Sequence, residues 1–229
     1  MTIVMIRQPG YLPYVGFFKK IQVSNVFVYL DDVQYSIGSG DNRNKIKTPN
    51  GTTYLTVPLA KPFGKQINQV EIDNTTDWKN KHKNLIKEYY SDKPFFNDYW
   101  SSIESILDKE WQKLIDINLE FIEYFKKIFN LETKCIRSST LNLDSTKSQR
   151  LLDICKKLNA TTYISGEIGK DYLDEKIFHE SGIEIIYEKF QHPIYRQNYG
   201  EFVSHLSILD LLFNEGRNSR TILLNSKNI

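Results

Sequence analysis

Two short and almost wholly apolar runs, Thr2 to Ile6 and Val26 to Leu30, stand out in the first thirty residues. Runs of that length read as strands covered on both faces. Between them lie a Gly/Pro-bearing loop, Gln8-Pro9-Gly10-Tyr11-Leu12-Pro13, and a segment from Tyr14 to Gln22 that reads as a short helix. The second run ends in two carboxylates, Asp31 and Asp32. Strand, loop, helix and strand in this order open an α/β sheet, and such sheets bind ligands beyond the carboxyl ends of their strands.

The pattern then changes. Asp32 to Lys47 is polar and rich in Ser, Gly and Asn, which predicts a long loop. Pro49-Asn50-Gly51-Thr52 has the chemistry of a tight turn, and Tyr54 to Leu59 and Val70 to Ile72 read as strands. Apolar residues at helical spacing follow over Trp78 to Tyr90, Phe95 to Leu107 and Leu114 to Ile128, with Asp92 to Pro94 separating the first two. The third carries a broad stripe of Leu114, Ile117, Leu119, Phe121, Ile122, Phe125 and Ile128, a breadth that predicts burial between layers. From Ser148 the alternation resumes: helix Gln149 to Leu158, strand Thr162 to Ser165, a Gly-containing loop, helix Tyr172 to Ser181 and strand Ile183 to Phe190. Phe202 to Phe213 closes the series with an apolar face, and Asn214-Glu215-Gly216 stops it. That face can contribute to an interface, so a homo-oligomer is one expected assembly. The fold class is α/β: a mostly parallel Rossmann-like sheet flanked by helices, as a single domain over 1–229 with a helical insertion at 76–130.

Composition narrows the partners. Hydrophobic residues at 40% and charged residues at 25% are ordinary for a soluble globular protein. Aromatic residues reach 13%, above the usual need of a core, and tyrosine suits polar pockets as well as interiors. The net charge of +2 is spread without a basic stripe, so nucleic acid is not an expected partner. Cys135 and Cys155 lack ligand or redox spacing and suit a reducing compartment. No apolar run approaches a transmembrane segment and no secretory leader pattern opens the chain, so the expected localisation is cytoplasmic.

Several groups carry candidate chemistry. The opening loop has the layout of nucleotidyl-transferring enzymes, in which a helix amino end attracts phosphate. Tyr14 and Gly16 stand where a histidine and a glycine are wanted, however, and Pro9, Gly10 and Pro13 can equally shape a turn alone. Asp31 and Asp32, with Gln34 and Tyr35 close behind, can hold a sugar hydroxyl, act as base, or cap the next loop. No second acidic cluster has ligand spacing, so no metal is predicted. Arg43, Lys45 and Lys47 around Asn44 offer a fork and point charges to a phosphate or diphosphate, or form an exposed basic loop. His82 lies among lysines that depress its pKa, and His192 follows a strand directly at the binding edge. His179 reads as a helix-surface residue, and His205 and Asp210 are spaced too far apart to share a helical face. Gly166 and Gly169, after Ser165, let backbone amides approach a ligand. That segment lacks both the P-loop ending and the surroundings of a nucleophile elbow.

Taken in order, several blocks resemble the WbqC-like protein family of bacterial surface-polysaccharide gene clusters. They are Gln8-Pro9-Gly10-Tyr11-Leu12-Pro13-Tyr14-Val15-Gly16, Asp31-Asp32-Val33-Gln34-Tyr35 and Asn42-Arg43-Asn44-Lys45-Ile46-Lys47. Trp78 with Lys81-His82, Tyr163-Ile164-Ser165-Gly166, His192-Pro193-Ile194-Tyr195 with Gln197, and Leu206 to Phe213 continue the series. The chain departs from the family's habit of a bulky aromatic near Gly10 and often another around Gly38 to Asp41, which alters the shape of the pocket. The resemblance implies a part in making an unusual sugar for O-antigen or a similar glycan, with a nucleotide-linked amino sugar as substrate. The compatible reaction is acyl transfer onto its amino group, with acyl-CoA as donor. His82 or His192, with Asp32, forms the expected catalytic set. Gln8, Tyr11, Tyr14, Asp31, Gln34, Arg43, Asn44, Lys45, Ser165, Gly166, Tyr195 and Gln197 form the expected substrate-binding set. Nucleotidyl or other group transfer on a sugar nucleotide, and a non-catalytic role as a glycan-assembly adaptor, are the alternatives.

Overall fold

The two opening apolar runs become β1 (Ile3–Arg7) and β2 (Val26–Tyr29), with α1 (Val15–Val23) between them. The computed structural model describes residues 1–38 and 40–227. Ser39, in the stretch expected as a long loop, lies outside them. Two small antiparallel pairs follow: β3 (Arg43–Thr48) with β4 (Gly51–Thr56), and β5 (Leu59–Ala60) with β6 (Glu71–Ile72). The helical middle is α2 (Trp78–Tyr90), α3 (Phe96–Asp108) and α4 (Leu114–Phe129). The chain then alternates through β7 (Lys134–Arg137), α5 (Lys147–Lys157), β8 (Thr162–Ser165), α6 (Glu175–Glu180) and β9 (Glu184–Tyr187). It ends in α7 (Ile208–Glu215) and α8 (Asn218–Asn225).

Among the described residues five strands form one sheet in the order β7-β2-β1-β8-β9, every pairing parallel. One row runs across it through Cys135, Phe27, Met5, Ile164 and Ile186. The order reverses at β1, whose neighbours are the next sheet strand in sequence and one more than 130 residues further on. This is a mostly parallel α/β sheet of Rossmann type, as the alternation predicts. It carries a topological switch point at β1 and β8.

Because a parallel sheet is covered on both faces, side-chain alternation sorts the core into two layers. Val4, Val28 and Tyr163 face Leu151, Leu152, Ile154 and Cys155 of α5 and Phe178 of α6. Met5, Phe27, Tyr29 and Ile164 face the larger core built by α1, α4 and α7. Phe18 of α1 is its hinge pin, fully buried and 5.8 and 5.4 Å, ring to ring, from Phe125 and Phe129 of α4. Of the broad stripe of α4, Leu114, Ile117, Phe121, Ile122 and Phe125 are buried and Leu119 and Ile128 half-buried.

The sequence pattern misses or misplaces several elements, α8 among them. Arg43–Thr48, expected within a loop, is a strand; it is polar because Lys47 buries its stem and sends its ammonium to Gln197 Oε1 (3.1 Å) and the Glu201 carbonyl (2.5 Å). The edge strand β7 is missed because it is short and half-charged. The helix expected from Tyr172 starts at Glu175, after a 3₁₀ turn over Glu167–Asp171. The last apolar segment turns helical only at Ile208, where the Ser207 hydroxyl accepts the Leu209 N–H. Its apolar face, with Leu206, Leu209, Leu212 and Phe213 all buried, is used inside the chain.

Phe18→Ala removes the ring that joins α1 to α4 and should lower unfolding free energy by about 3–5 kcal/mol, the usual loss for a truncated core phenylalanine. Guanidinium unfolding monitored by circular dichroism checks this.

Candidate functional site

A cleft of about 1210 Å³ opens at the carboxyl edge of the sheet. Arg7 and Gln8 from the end of β1 and Leu30 and Asp32 from the end of β2 form one part of its wall. Gln34, Gln66 and Asn68 come from the β2–β6 region, and Ser139 and Asn142 to Lys147 from the connection between β7 and α5. Arg150 of α5, Tyr163 of β8 and Tyr172 complete it. The lining mixes cations, carboxamides, hydroxyls and two phenol rings. Such a wall suits a polar ligand with an anionic group and a planar or sugar ring.

Asp31 and Asp32, adjacent at the end of β2, diverge in role. Asp31 is wholly buried and accepts from Arg137 Nε (2.6 Å), Ser139 N–H (2.9 Å) and Ser139 O–H (2.8 Å). Burial works against its ionisation, but the Ser139 and Arg137 donors prevail and hold its pKa below the usual carboxylate value. Asp32 turns to the cleft, where it pairs with the Arg150 guanidinium and lies 2.5 Å from Ser138 Oγ. Arg150 also donates to the Leu143 and Ser145 carbonyls, 2.9 Å each, and so fixes the loop that enters α5.

The histidines occupy three environments. His82 is 1% exposed. Its Nε2–H donates to the Thr56 carbonyl (3.1 Å) and its Nδ1 accepts from the Tyr11 hydroxyl (3.0 Å). Burial, chiefly, lowers its pKa to about 4, with Lys81 a minor cause. It is a neutral interior tie between α2, β4 and the opening loop. His192 is half-buried against Tyr14, Phe190, Tyr195, Phe202 and His205, with ring centroids 5.1 Å from His205 and 6.5 Å from a stacked Tyr14. Its Nδ1–H donates to the Pro193 carbonyl (2.9 Å), which leaves Nε2 as an acceptor. Burial pulls its pKa below the ordinary value, partly offset by the Pro193 hydrogen bond, while His205 adds to the lowering. His205 is exposed, and its pKa too is lowered, by burial and then by Lys45 and Lys20. Beneath this group lies the buried Lys20–Glu188 ion pair.

The remaining expected residues divide clearly. Gln8, Asp32 and Gln34 line the cleft. Tyr11 is sealed beside His82, and Tyr14, at the amino end of α1, packs on Phe190 (5.9 Å) over Gly16, where any side chain would collide with both rings. Arg43 lies over the Tyr54 ring (4.8 Å) and Asn44 donates to the Leu12 carbonyl (2.7 Å). Lys45 faces His205 rather than the cleft. Ser165 is buried, its hydroxyl on the Gly166 carbonyl (3.2 Å), and Gly169 packs directly against it. Tyr195 donates to Asp210 Oδ2 (2.8 Å), and Gln197 both donates to and accepts from the Val203 backbone. These two are anchors that order the irregular stretch carrying His192 and His205. Sequence reasoning missed Arg7, Asn68, Ser139, Ser145, Lys147 and Arg150. The signal available for the last three was the Ser145-Thr146 pair just before an amphipathic helix.

Among the described residues no group of three or more His, Cys, Asp or Glu side chains is placed to hold a metal ion. No helix there is long and apolar enough to cross a membrane.

A model of the WbqC-like protein family matches residues 8–222. Among curated proteins, Uncharacterized protein Rv1507c of Mycobacterium tuberculosis (strain ATCC 25618 / H37Rv) is 32% identical over 220 residues, covering 94% of this chain and 95% of its own. No solved structure matches significantly.

The buried His82 generates a pH signature. Its native pKa of about 4 lies below the unfolded value of about 6.5. Between these two pH values the unfolded chain binds a proton that the native protein refuses. Its contribution is therefore complete above about pH 6.5 and lost as pH falls towards 4, on the order of 3 kcal/mol in all. Urea unfolding at pH 7 and pH 4.5 should show a larger drop for the native sequence than for His82→Gln.

Proposed function

Because the chain belongs to the WbqC-like protein family, we propose that it is a transferase acting on a nucleotide-linked amino sugar of surface-polysaccharide biosynthesis. The sugar's amino group receives an acyl group from acyl-CoA. The observation that carries the reading is the cleft itself: about 1210 Å³, at the carboxyl edge of a parallel sheet, beside the strand where the order reverses. Ligand clefts of 300–1,000 Å³ enclose drug-sized molecules, and a sugar nucleotide needs a little more. Gln8, Gln34, Gln66, Asn68 and Asn142 offer both donors and acceptors, as sugar hydroxyls and a nucleobase require. Tyr172, exposed at the rim, adds a ring face.

In the reaction the free amine attacks the thioester carbonyl. A C–N bond forms, the C–S bond breaks, and the sulfur leaves as thiolate. The proton given up by the attacking nitrogen passes to a base. His192 lies outside the lining of that cleft, stacked on Tyr14, and in this reading it supplies the base from that neighbouring region, since burial pulls its pKa below the ordinary value and Nε2 is free to accept. Arg7 connects the two regions: it lines the cleft and acts on the Tyr14 hydroxyl across the end of β1. Asp32, held by Arg150 and Ser138, orients the ligand rather than exchanging protons. His82 has no part in the chemistry.

Incubation with nucleotide-linked amino sugars and a panel of acyl-CoAs should yield one sugar whose mass rises by the acyl group. His192→Asn should lower kcat by about a hundredfold or more, the range for loss of a general base, with KM little changed. The wild-type rate should decline as pH falls through the His192 pKa, which lies below the ordinary histidine value. A full panel without any mass gain sinks the acyl-transfer reading.

A further inference from the structure

We infer that the amino end of α5 is the phosphate-binding subsite of the cleft and takes the diphosphate of a nucleotide-linked ligand. The inference rests on the placement of such a ligand in the cleft and adds its orientation. α5 starts where β7 delivers the chain to the carboxyl edge, and Ser145, Thr146 and Lys147 all line the cleft. Thr146 at the N-cap makes no side-chain hydrogen bond to the first turn, which also contains no acidic residue. The Lys147, Ser148 and Gln149 amides therefore have no acceptor within the helix, and the helix dipole adds positive potential at the end that Thr146 and Lys147 bring to the cleft.

An independent observation points to an acceptor arriving from outside. Arg150 is 7% exposed and lines the cleft, yet its Nε–H has no partner. Ser145 Oγ, also buried, has none either. Buried donors are ordinarily satisfied, and both orphans lie within one turn of the helix start. An anion with several oxygens is the ligand chemistry that answers them. Lys147 fits the same picture. It places a cation at the first helical residue, where the dipole disfavours it, and holds a φ of 52° that a side chain rarely adopts. The cation does not serve the helix, and it suits a bound anion.

The charges close around a diphosphate. Asp32 is neutralised by Arg150, which leaves Arg7 and Lys147 against Asp144 before the helix dipole is counted. The competing locations are already filled. The amino end of α1 is packed under Tyr14 and Phe190. In the basic hairpin, Arg43 is stacked on Tyr54 and Lys47 is committed to Gln197 and Glu201.

The test uses inorganic pyrophosphate and uridine diphosphate with the full chain, by calorimetry and amide chemical-shift mapping. Lys147→Gly removes the charge and relieves the positive φ, so the variant keeps or gains thermal stability. It should weaken both ligands at least tenfold, whereas the double variant Arg43→Ala/Lys45→Ala should stay within twofold of wild type. Shifts should centre on the Lys147, Ser148 and Gln149 amides. Unchanged affinity in Lys147→Gly, or loss in the hairpin variant, overturns the inference. The two readings fail separately. Pyrophosphate binding without acyl transfer leaves the subsite standing and removes the reaction. Acyl transfer with KM unaltered by Lys147→Gly does the reverse.

Discussion

A carboxylate shut away from water must find donors within the protein, and the donors that Asp31 finds come from a single stretch, Arg137 to Ser139. That requirement ties the end of β2 to the end of β7 although more than a hundred residues separate them. Drawn over β2, the chain leaving β7 has to turn back towards α5 within a few residues. The turn becomes one wall of the cleft. Asp32, the next residue, then meets Arg150, whose other donors grip the Leu143 and Ser145 carbonyls. Two neighbouring acids thus shape the cleft, one by being buried and the other by being presented.

Much of this was legible in the amino-acid pattern, for a physical reason. Elements buried on two sides carry their own signature, so β1, β2, β8 and the long helices α2 and α4 could be read with little error. A cleft at the carboxyl edge was to be expected from topology, and Gln8, Asp32 and Gln34 do line it. What escaped were elements whose stability comes from partners distant in sequence. β3 looks like a loop because the acceptors of Lys47 lie 150 residues away. The cations around the cleft escaped for a related reason. Arg43 and Lys45 cluster visibly in sequence, whereas Arg7, Lys147 and Arg150 converge only once the sheet is wound.

The histidines show how burial assigns roles that sequence neighbours suggest only weakly. His82 sits among lysines, and their charge does push its pKa down, but desolvation contributes more and its hydrogen bonds leave no free nitrogen. His192 keeps a free nitrogen because a single carbonyl engages its ring. The irregular chain around it is ordered from outside, by Tyr195 on Asp210 and Gln197 on Lys47 and Val203. Long irregular segments that are nonetheless firmly held commonly carry function.

The fastenings between chain ends have a consequence for biosynthesis. β1 pairs with β8 on one side, Lys19 of α1 donates to the Leu224 carbonyl, and the Ile208 N–H donates to the Pro13 carbonyl. The opening segment therefore cannot reach its final surroundings until α8 has left the ribosome. Its apolar strand and aromatic helix wait through synthesis with one flank bare. Contacts so distant in sequence slow folding and prolong exposure to aggregation, so yield in a recombinant host depends on the interval between the synthesis of α1 and that of α8 as much as on final stability.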